Sequence, residues 1–126
     1  MQFKFISSVV VCAILSLSSQ HLLANTQLKP TCPSVSSIQT VNLDIAVRRG
    51  DWIVMKWTSR YDTQYNWRFS IGNFHAIDAT DAFNQAKNSL ATLTFVDGPI
   101  DYLGKWLCRY LTADGYKGEA FLLERM

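Results

Sequence analysis

The chain has 126 residues, of which 48% are hydrophobic and 17% charged, and its formal net charge is +2. Charges of neither sign form a run, which excludes the basic stripe that binding to nucleic acid or to an anionic membrane surface requires. We therefore expect no nucleic-acid partner, and no membrane association once the N-terminal segment has been removed.

Residues 1–24 have the layout of a secretory signal peptide. A short segment with one charged residue, Lys4, precedes the apolar residues 5–17, and a more polar tail ends at the small residue Ala24. We expect cleavage after Ala24, with Ser19 as the alternative site. The sequence thus predicts an exported protein, periplasmic or secreted, whose mature part is one domain spanning residues 25–126.

Cys32 and Cys108 remain in the mature chain after Cys12 leaves with the signal peptide. Two cysteines in an oxidising compartment most simply form one intramolecular disulfide, and free thiols or an intermolecular bridge are the alternatives. This bridge would close most of the domain into one loop. In the chain-entropy model such a loop contributes about 4 kcal/mol to stability.

The first predicted helix begins at residues 32–34, Cys-Pro-Ser, since proline suits a first helical turn. Val35 and Ile38 recur at helical spacing, and the period is lost soon after Val41. We therefore predict a short helix with one apolar stripe.

Two strands are predicted next. Residues 49–51, Arg-Gly-Asp, form a turn and not an adhesion ligand, because a three-residue match recurs too often by chance. In the strand at residues 52–58, one face is cleanly apolar and is predicted to face the core; it carries Ile53, Met55 and Trp57. The second strand, residues 67–71, alternates apolar and polar residues throughout.

The second predicted helix begins at Asp78 or Thr80, either of which can cap it, and Asp81 adds a favourable negative charge to its first turn. Its apolar residues recur at helical spacing: Ala79, Phe83, Ala86 and Leu90. A turn at residues 97–99, Asp-Gly-Pro, then leads to the last two strands.

Residues 105–123 are predicted to form a β-hairpin with a two-residue turn at residues 114–115, Asp-Gly. This register places Cys108 opposite Phe121. It also predicts that Trp106 lies in the core, on an apolar face made of four residues: Trp106, Cys108, Phe121 and Leu123.

The element order is therefore helix, strand, strand, helix, strand, strand. It predicts an α+β domain with a four-stranded, mainly antiparallel sheet, two helices on one face and one disulfide. A closed barrel is the alternative fold. The two halves have a similar layout but share no convincing repeat at the level of residues.

The sequence contains no recognisable catalytic or metal-binding motif. It lacks Gly-x-Ser-x-Gly, Cys-x-x-Cys, His-x-x-x-His and a glycine-rich phosphate loop, and its mature part has one histidine, His75. We therefore predict no catalytic residue, no metal ligand and no enzymatic activity. Aromatic residues are abundant, and Tyr61 and Tyr65 fall in a polar loop, where binding surfaces draw on such side chains.

The Cys-Pro-Ser motif at residues 32–34, a first strand bearing tryptophan and a late Trp-x-Cys-x-Tyr motif at residues 106–110 resemble a family of small exported bacterial proteins. The function of this family is unknown, but it includes Hbp-like haemin-binding proteins. The resemblance implies haem as a ligand, with tyrosine or histidine as its axial ligand. Tyr61, Tyr65 and His75 are accordingly the predicted ligand-binding residues.

The alternative function belongs to a different class. The protein would be a protein–protein interaction module, such as an inhibitor or a host-facing secreted factor, that uses a sheet face or the loop tyrosines to bind a protein partner. Saturable binding of haemin would distinguish the two functions.

Overall fold

The computed structural model describes residues 29–123, which form two helices and one six-stranded antiparallel sheet. The elements in chain order are α1 (Val35–Thr40), β1 (Ile45–Arg49), β2 (Asp51–Ser59), β3 (Trp67–Phe74), α2 (Ala79–Leu90), β4 (Thr94–Tyr102), β5 (Lys105–Leu111) and β6 (Lys117–Leu122). The strand order is β1-β2-β3-β6-β5-β4, so two three-stranded meanders meet where β3 pairs with β6. The predicted signal peptide, residues 1–24, lies outside the described residues.

The predicted α+β fold with a four-stranded sheet is wrong, because the protein is mostly β and has two further strands at the sheet edges, β1 and β4. The alternation in β1 is too short to stand out, since it ends in two arginines after three residues. The segment 97–99, predicted as a turn, lies within β4, whose pairing with β5 shifts on both sides of Asp97. Proline is tolerated at such bulges in an edge strand.

The predicted two-residue turn of the last hairpin is also wrong. The loop has three residues, 113–115, and the amide of Thr112 donates to the carbonyl of Tyr116 at 3.0 Å. Gly115 has φ +90°, which suits the last residue of a three-residue hairpin loop. The Thr112 hydroxyl stabilises the loop: it accepts from the Tyr116 amide at 2.9 Å and donates to Asp114 Oδ1 at 2.6 Å.

The longer loop changes which residues face the core. Cys108 now pairs with Ala120, and Phe121 pairs with Leu107. Because a one-residue slip moves a side chain to the other face of the sheet, Phe121 leaves the face that carries Cys108. Trp106 stays on the core side, but it is only partly buried there.

The core lies between one face of the sheet and the two helices. Its sheet residues are Val54, Trp67, Phe69, Ile71, Cys108, Tyr110, Ala120 and Leu122, and its helix residues are Ile38, Ala82, Ala86 and Leu90. α2 packs on β1, β2 and β3 and begins at the predicted cap, where Asp78 Oδ1 accepts from the Asp81 amide at 2.8 Å. We call the face of the sheet opposite the helices the open face. Within residues 29–123, no helix has the length and apolar character needed to cross a membrane.

The predicted core face of β2 is reversed in the structure. Val54 is fully buried, whereas Trp57 is 48% exposed and lies with Ile53 and Met55 on the open face. Lys56 makes the Val54 face look polar in the sequence. In the structure, Lys56 reaches the rim of the core, where its Nζ pairs with Asp44 Oδ2 at 3.2 Å.

The predicted disulfide between Cys32 and Cys108 is confirmed, and it joins the segment before α1 to β5. Beside it, the Tyr110 hydroxyl donates to the carbonyl of Pro33, and burial raises the pKa of Tyr110 well above its usual value. The start of α1 is thus fixed to the sheet by one covalent bond and one buried hydrogen bond.

Candidate functional site

The predicted ligand-binding residues lie at two ends of the sheet. Tyr61 and Tyr65 belong to the loop before β3, and His75 directly follows the last residue of β3. The eight residues of β3 separate these positions by about 25 Å at the usual rise of a strand. The structure therefore does not bring His75 together with the tyrosines, and one group cannot be bound by all three.

The two loop tyrosines pack against the core and are partly buried. The Tyr61 hydroxyl is buried without a hydrogen-bond partner. Burial, and to a lesser extent the charge of Asp44, raises the pKa of Tyr61 well above its usual value. This environment disfavours the tyrosinate form that would bind haem iron.

The same loop holds α1 in place. Asp62 Oδ1 accepts hydrogen bonds from the Ser34 amide at 2.9 Å and from the Ser37 hydroxyl at 3.1 Å. The hydrogen bond from the Ser34 amide is the largest cause of a lowered pKa at Asp62. The geometry of the loop therefore favours a structural role for it.

His75 is the most accessible of the predicted residues. Its side chain is 99% exposed, and its Nδ1 lies 3.3 Å from Asp51 Oδ1. A cleft of about 540 Å³ between α1 and α2 contains neither a histidine nor a tyrosine; its lining consists of residues 39–43, Phe83, Asn84, Lys87 and Leu90. Among residues 29–123, no group of three or more histidine, cysteine, aspartate or glutamate side chains is placed to hold a metal ion.

The open face of the sheet carries many apolar side chains, whereas the solvated face of an antiparallel sheet is usually polar. Apolar side chains from five strands lie there: Ile45, Val47, Ile53, Met55, Trp57, Ile100, Leu107, Leu111 and Phe121. Leu107 is only 5% exposed, although it lies on the side opposite the helices. Apolar side chains on an exposed sheet face are typical of interaction sites.

One row across the open face combines three aromatic rings with one arginine. The Arg68 guanidinium carbon lies 3.6 Å from the ring centroid of Trp57. Arg68 is the cross-strand partner of Phe121, and the ring centroids of Phe121 and Tyr102 are 6.4 Å apart. We call Trp57, Arg68, Phe121 and Tyr102 the aromatic row.

A second row on the same face is charged. Arg109 is paired with Asp97, with Nε 2.6 Å from Oδ1, and it lies opposite Glu119 on β6. The hydrogen bond from Arg109 lowers the pKa of Asp97, and Asp97, with a smaller contribution from Glu119, raises the pKa of Arg109. Arg109 is therefore balanced by Asp97, and Glu119 leaves this row with one net negative charge.

Sequence reasoning does not find the aromatic row, because its members come from four strands. The alternation in β3 correctly places Arg68 on the side away from the core. However, only the sheet order and the three-residue loop of the last hairpin bring Trp57 and Phe121 to either side of it. The strongest signal for this row in the sequence is the apolar side of β2, which carries Ile53, Met55 and Trp57. It indicates a surface site only when that side is assigned to the open face.

Comparison with known proteins assigns no family: no family model, no curated protein and no solved structure matches the chain. The resemblance to Hbp-like haemin-binding proteins therefore remains a prediction.

Proposed function

We propose that this protein is a non-enzymatic binding module that docks another protein on the open face of its sheet. The aromatic row carries this proposal. Tryptophan, tyrosine and arginine are the residues most enriched among those that dominate binding energy in protein interfaces. In this row, a tryptophan, an arginine and a tyrosine lie together with Phe121 on the side of the sheet away from the helices.

The shape of the open face suits a protein partner better than a small molecule. Six strands at a spacing of about 4.8 Å give a surface about 24 Å across, and small ligands usually bind in concave pockets instead. A surface of this width can supply the area of about 800 Å² that each partner contributes to a standard interface.

Haem is the second candidate ligand, and the aromatic row is also the observation that favours it. A flat apolar macrocycle with carboxylate groups would find ring faces at Trp57 and Phe121 and a cation at Arg68. Tyr61, Tyr65 and His75 would contribute little to such a site, because they lie at the ends of the sheet.

The proposed location is the periplasm or the external medium. The disulfide between Cys32 and Cys108 fits an oxidising compartment, where such bonds form and persist. A protein partner is therefore expected to be exported or extracellular.

Site-specific photo-crosslinking of the full chain in the producing cell tests the proposed function. The photoreactive residue p-benzoylphenylalanine replaces Tyr102, which is 51% exposed on the open face, or, as a control, Ile77, which is 88% exposed before α2. We expect a discrete adduct with another protein from position 102 that is weakened by Trp57→Ser, and no such adduct from position 77.

Equal labelling from both positions would contradict the proposal, as would adducts formed solely with a second copy of the chain. A haemin titration of the purified protein separates the two candidates. A saturable Soret shift that is lost in Trp57→Ser would favour haem over a protein partner.

A further inference from the structure

Arg68 and Arg109 both lie on the open face, and they differ in how their charges are satisfied. Arg109 is paired with Asp97, and its side chain is 49% exposed. Arg68 stacks on Trp57, and its Nε is buried without a hydrogen-bond acceptor. None of the ion pairs within residues 29–123 includes Arg68.

A buried donor on a charged group is costly to leave unsatisfied, because it has lost its hydrogen bonds to water without replacement. The nearby carboxylates of Asp44 and Glu119 form no ion pair with Arg68. Asp44 accepts from the Trp57 amide at 3.0 Å and pairs with Lys56, and Glu119 lies opposite Arg109. Among the described residues, 29–123, none forms an ion pair with this guanidinium, which lies between Trp57 and Phe121.

We infer that Arg68 recognises an acidic side chain of the protein partner, namely an aspartate or glutamate flanked by apolar residues. This inference rests on the proposed function and names the chemistry of its partner. A carboxylate accepts two parallel hydrogen bonds from a guanidinium, and such charged pairs are stronger than neutral ones. The apolar residues beside the carboxylate would cover Trp57 and Phe121, which flank Arg68.

The Trp57 ring lies directly against this site. It is 48% exposed and covers one face of the Arg68 guanidinium. A carboxylate forms hydrogen bonds with a guanidinium along its edge, in the plane of the group, so it would lie beside the stacked Trp57 ring. Binding should therefore shift the indole N–H resonance of Trp57 together with the Nε–H resonance of Arg68. These two resonances report on the site without requiring knowledge of the natural partner.

The probe is a phage-displayed library of random twelve-residue peptides selected on the disulfide-bonded protein. We expect the enriched peptides to contain an aspartate or glutamate next to apolar or aromatic residues. Replacing that acid with its amide should weaken binding to the wild-type protein at least tenfold, which is the range expected for a hydrogen bond to a charged group.

The protein variants give the reciprocal test. Arg68→Gln should also lower the affinity for the peptide at least tenfold. Arg68→Lys should retain only part of the wild-type affinity, because lysine lacks the paired N–H donors of a guanidinium. Arg48→Gln is the matched control: Arg48 is exposed and pairs with Trp52, so it lies on the other face of the sheet, and the affinity should stay unchanged. If Arg68→Gln fails to fold, the amide-for-acid exchange in the peptide still decides the question.

Two kinds of failure are distinguishable. Enriched peptides that lack an acid, or that bind Arg68→Gln as well as the wild type, overturn the inference. If these peptides still depend on Trp57, the proposed function stands. Peptides that bind Trp57→Ser as tightly as the wild type, or the absence of any enriched peptide, overturn the inference and count against the proposed function as well.

Discussion

The two halves of the domain, residues 35–74 and 79–122, have the same order of elements but fill the core differently. Each half is a helix followed by a three-stranded meander. Where β3 meets β6, large residues of the first half face smaller ones of the second: Trp67 opposite Leu122, Phe69 opposite Ala120, and Ile71 opposite Gly118. Because a close-packed core cannot hold two large side chains in one space, the layout repeats while the sequence does not.

The helices of the two halves are also held differently. α2 has twelve residues and is packed on the strands of the first half. α1 has six residues, too few to be stable by themselves, and its start is bonded to β5 of the second half through Cys32. Packing holds the long helix, whereas a covalent bond and hydrogen bonds, one of them buried, reinforce the packing of the short one.

The largest loss of stability is expected from truncating Phe69, a fully buried residue of the first half. Phe69→Ala should lower the free energy of unfolding by about 3–5 kcal/mol, because the ring is fully buried and packs edge-on against Tyr110 at 6.0 Å. Phe95→Ala is the control in the second half; its ring also packs on Tyr110 but is 49% exposed. Urea unfolding should show less than half the loss for Phe95→Ala, and equal losses would contradict the asymmetry.

Removing the disulfide is expected to have the next largest effect. Cys32→Ala should cost about 2–4 kcal/mol, since the bond closes a loop with a sequence separation of 76 residues. Hydrogen exchange should show that protection is lost mainly in α1 and is retained in α2. Thiol labelling of the denatured, unreduced wild type provides the control and should find no free thiol at Cys32 or Cys108.

The most regular elements are predicted well from the sequence. β3 and α2 carry uninterrupted periodic patterns of 2 and 3.6 residues, and Asp78 marks the start of the helix as expected. The edge strands are missed because β1 is short and β4 is bulged around Pro99. The register of the last hairpin is missed because the Thr112 side chain favours a three-residue loop over the turn expected from the Asp-Gly dipeptide.

The candidate site is harder to predict than the fold, for a physical reason. The aromatic row depends on contacts between strands that are distant in sequence, and a one-residue error in register moves Phe121 to the wrong face. Tyr61 and Tyr65 show a second difference between the sequence pattern and the structure. Their polar loop indicates surface in the sequence, but both residues pack against the core.

A moderate loss of stability is expected when a side chain is added at Gly118 of β6, next to the Phe69 ring of β3. A Cβ atom on Gly118 would lie 3.0 Å from two ring carbons of Phe69 and 3.3 Å from Cβ of Tyr110. Gly118→Ala should therefore cost about 1–3 kcal/mol through overpacking. In a Phe69→Leu background the cost should be clearly smaller, because the ring carbons are absent. A double-mutant cycle measures this coupling, and additive costs would contradict the complementary packing of β3 and β6.

The smallest losses of stability are expected from removing the N-terminal caps of the helices, and they should differ between α2 and α1. Asp78→Ala removes the cap of α2 and should cost about 1 kcal/mol, because the Asp81 amide loses its acceptor at 2.8 Å. Ser34→Ala removes the equivalent bond to the Ser37 amide at 3.2 Å, but it should cost less, since Asp62 still accepts from the Ser34 amide and the disulfide still holds the segment.

Lowering the pH tests whether the Asp62 carboxylate helps to hold the start of α1. The pKa of Asp62 is lowered, so the stability that its carboxylate contributes is present above the unfolded-state pKa and is lost as the pH falls through the lower folded-state value. The cost of Ser34→Ala should therefore be smaller than that of Asp78→Ala in thermal melts at neutral pH. It should grow as acid protonates Asp62. Equal costs at neutral pH, or a cost of Ser34→Ala that does not change with pH, would show that Asp62 does not help to hold α1.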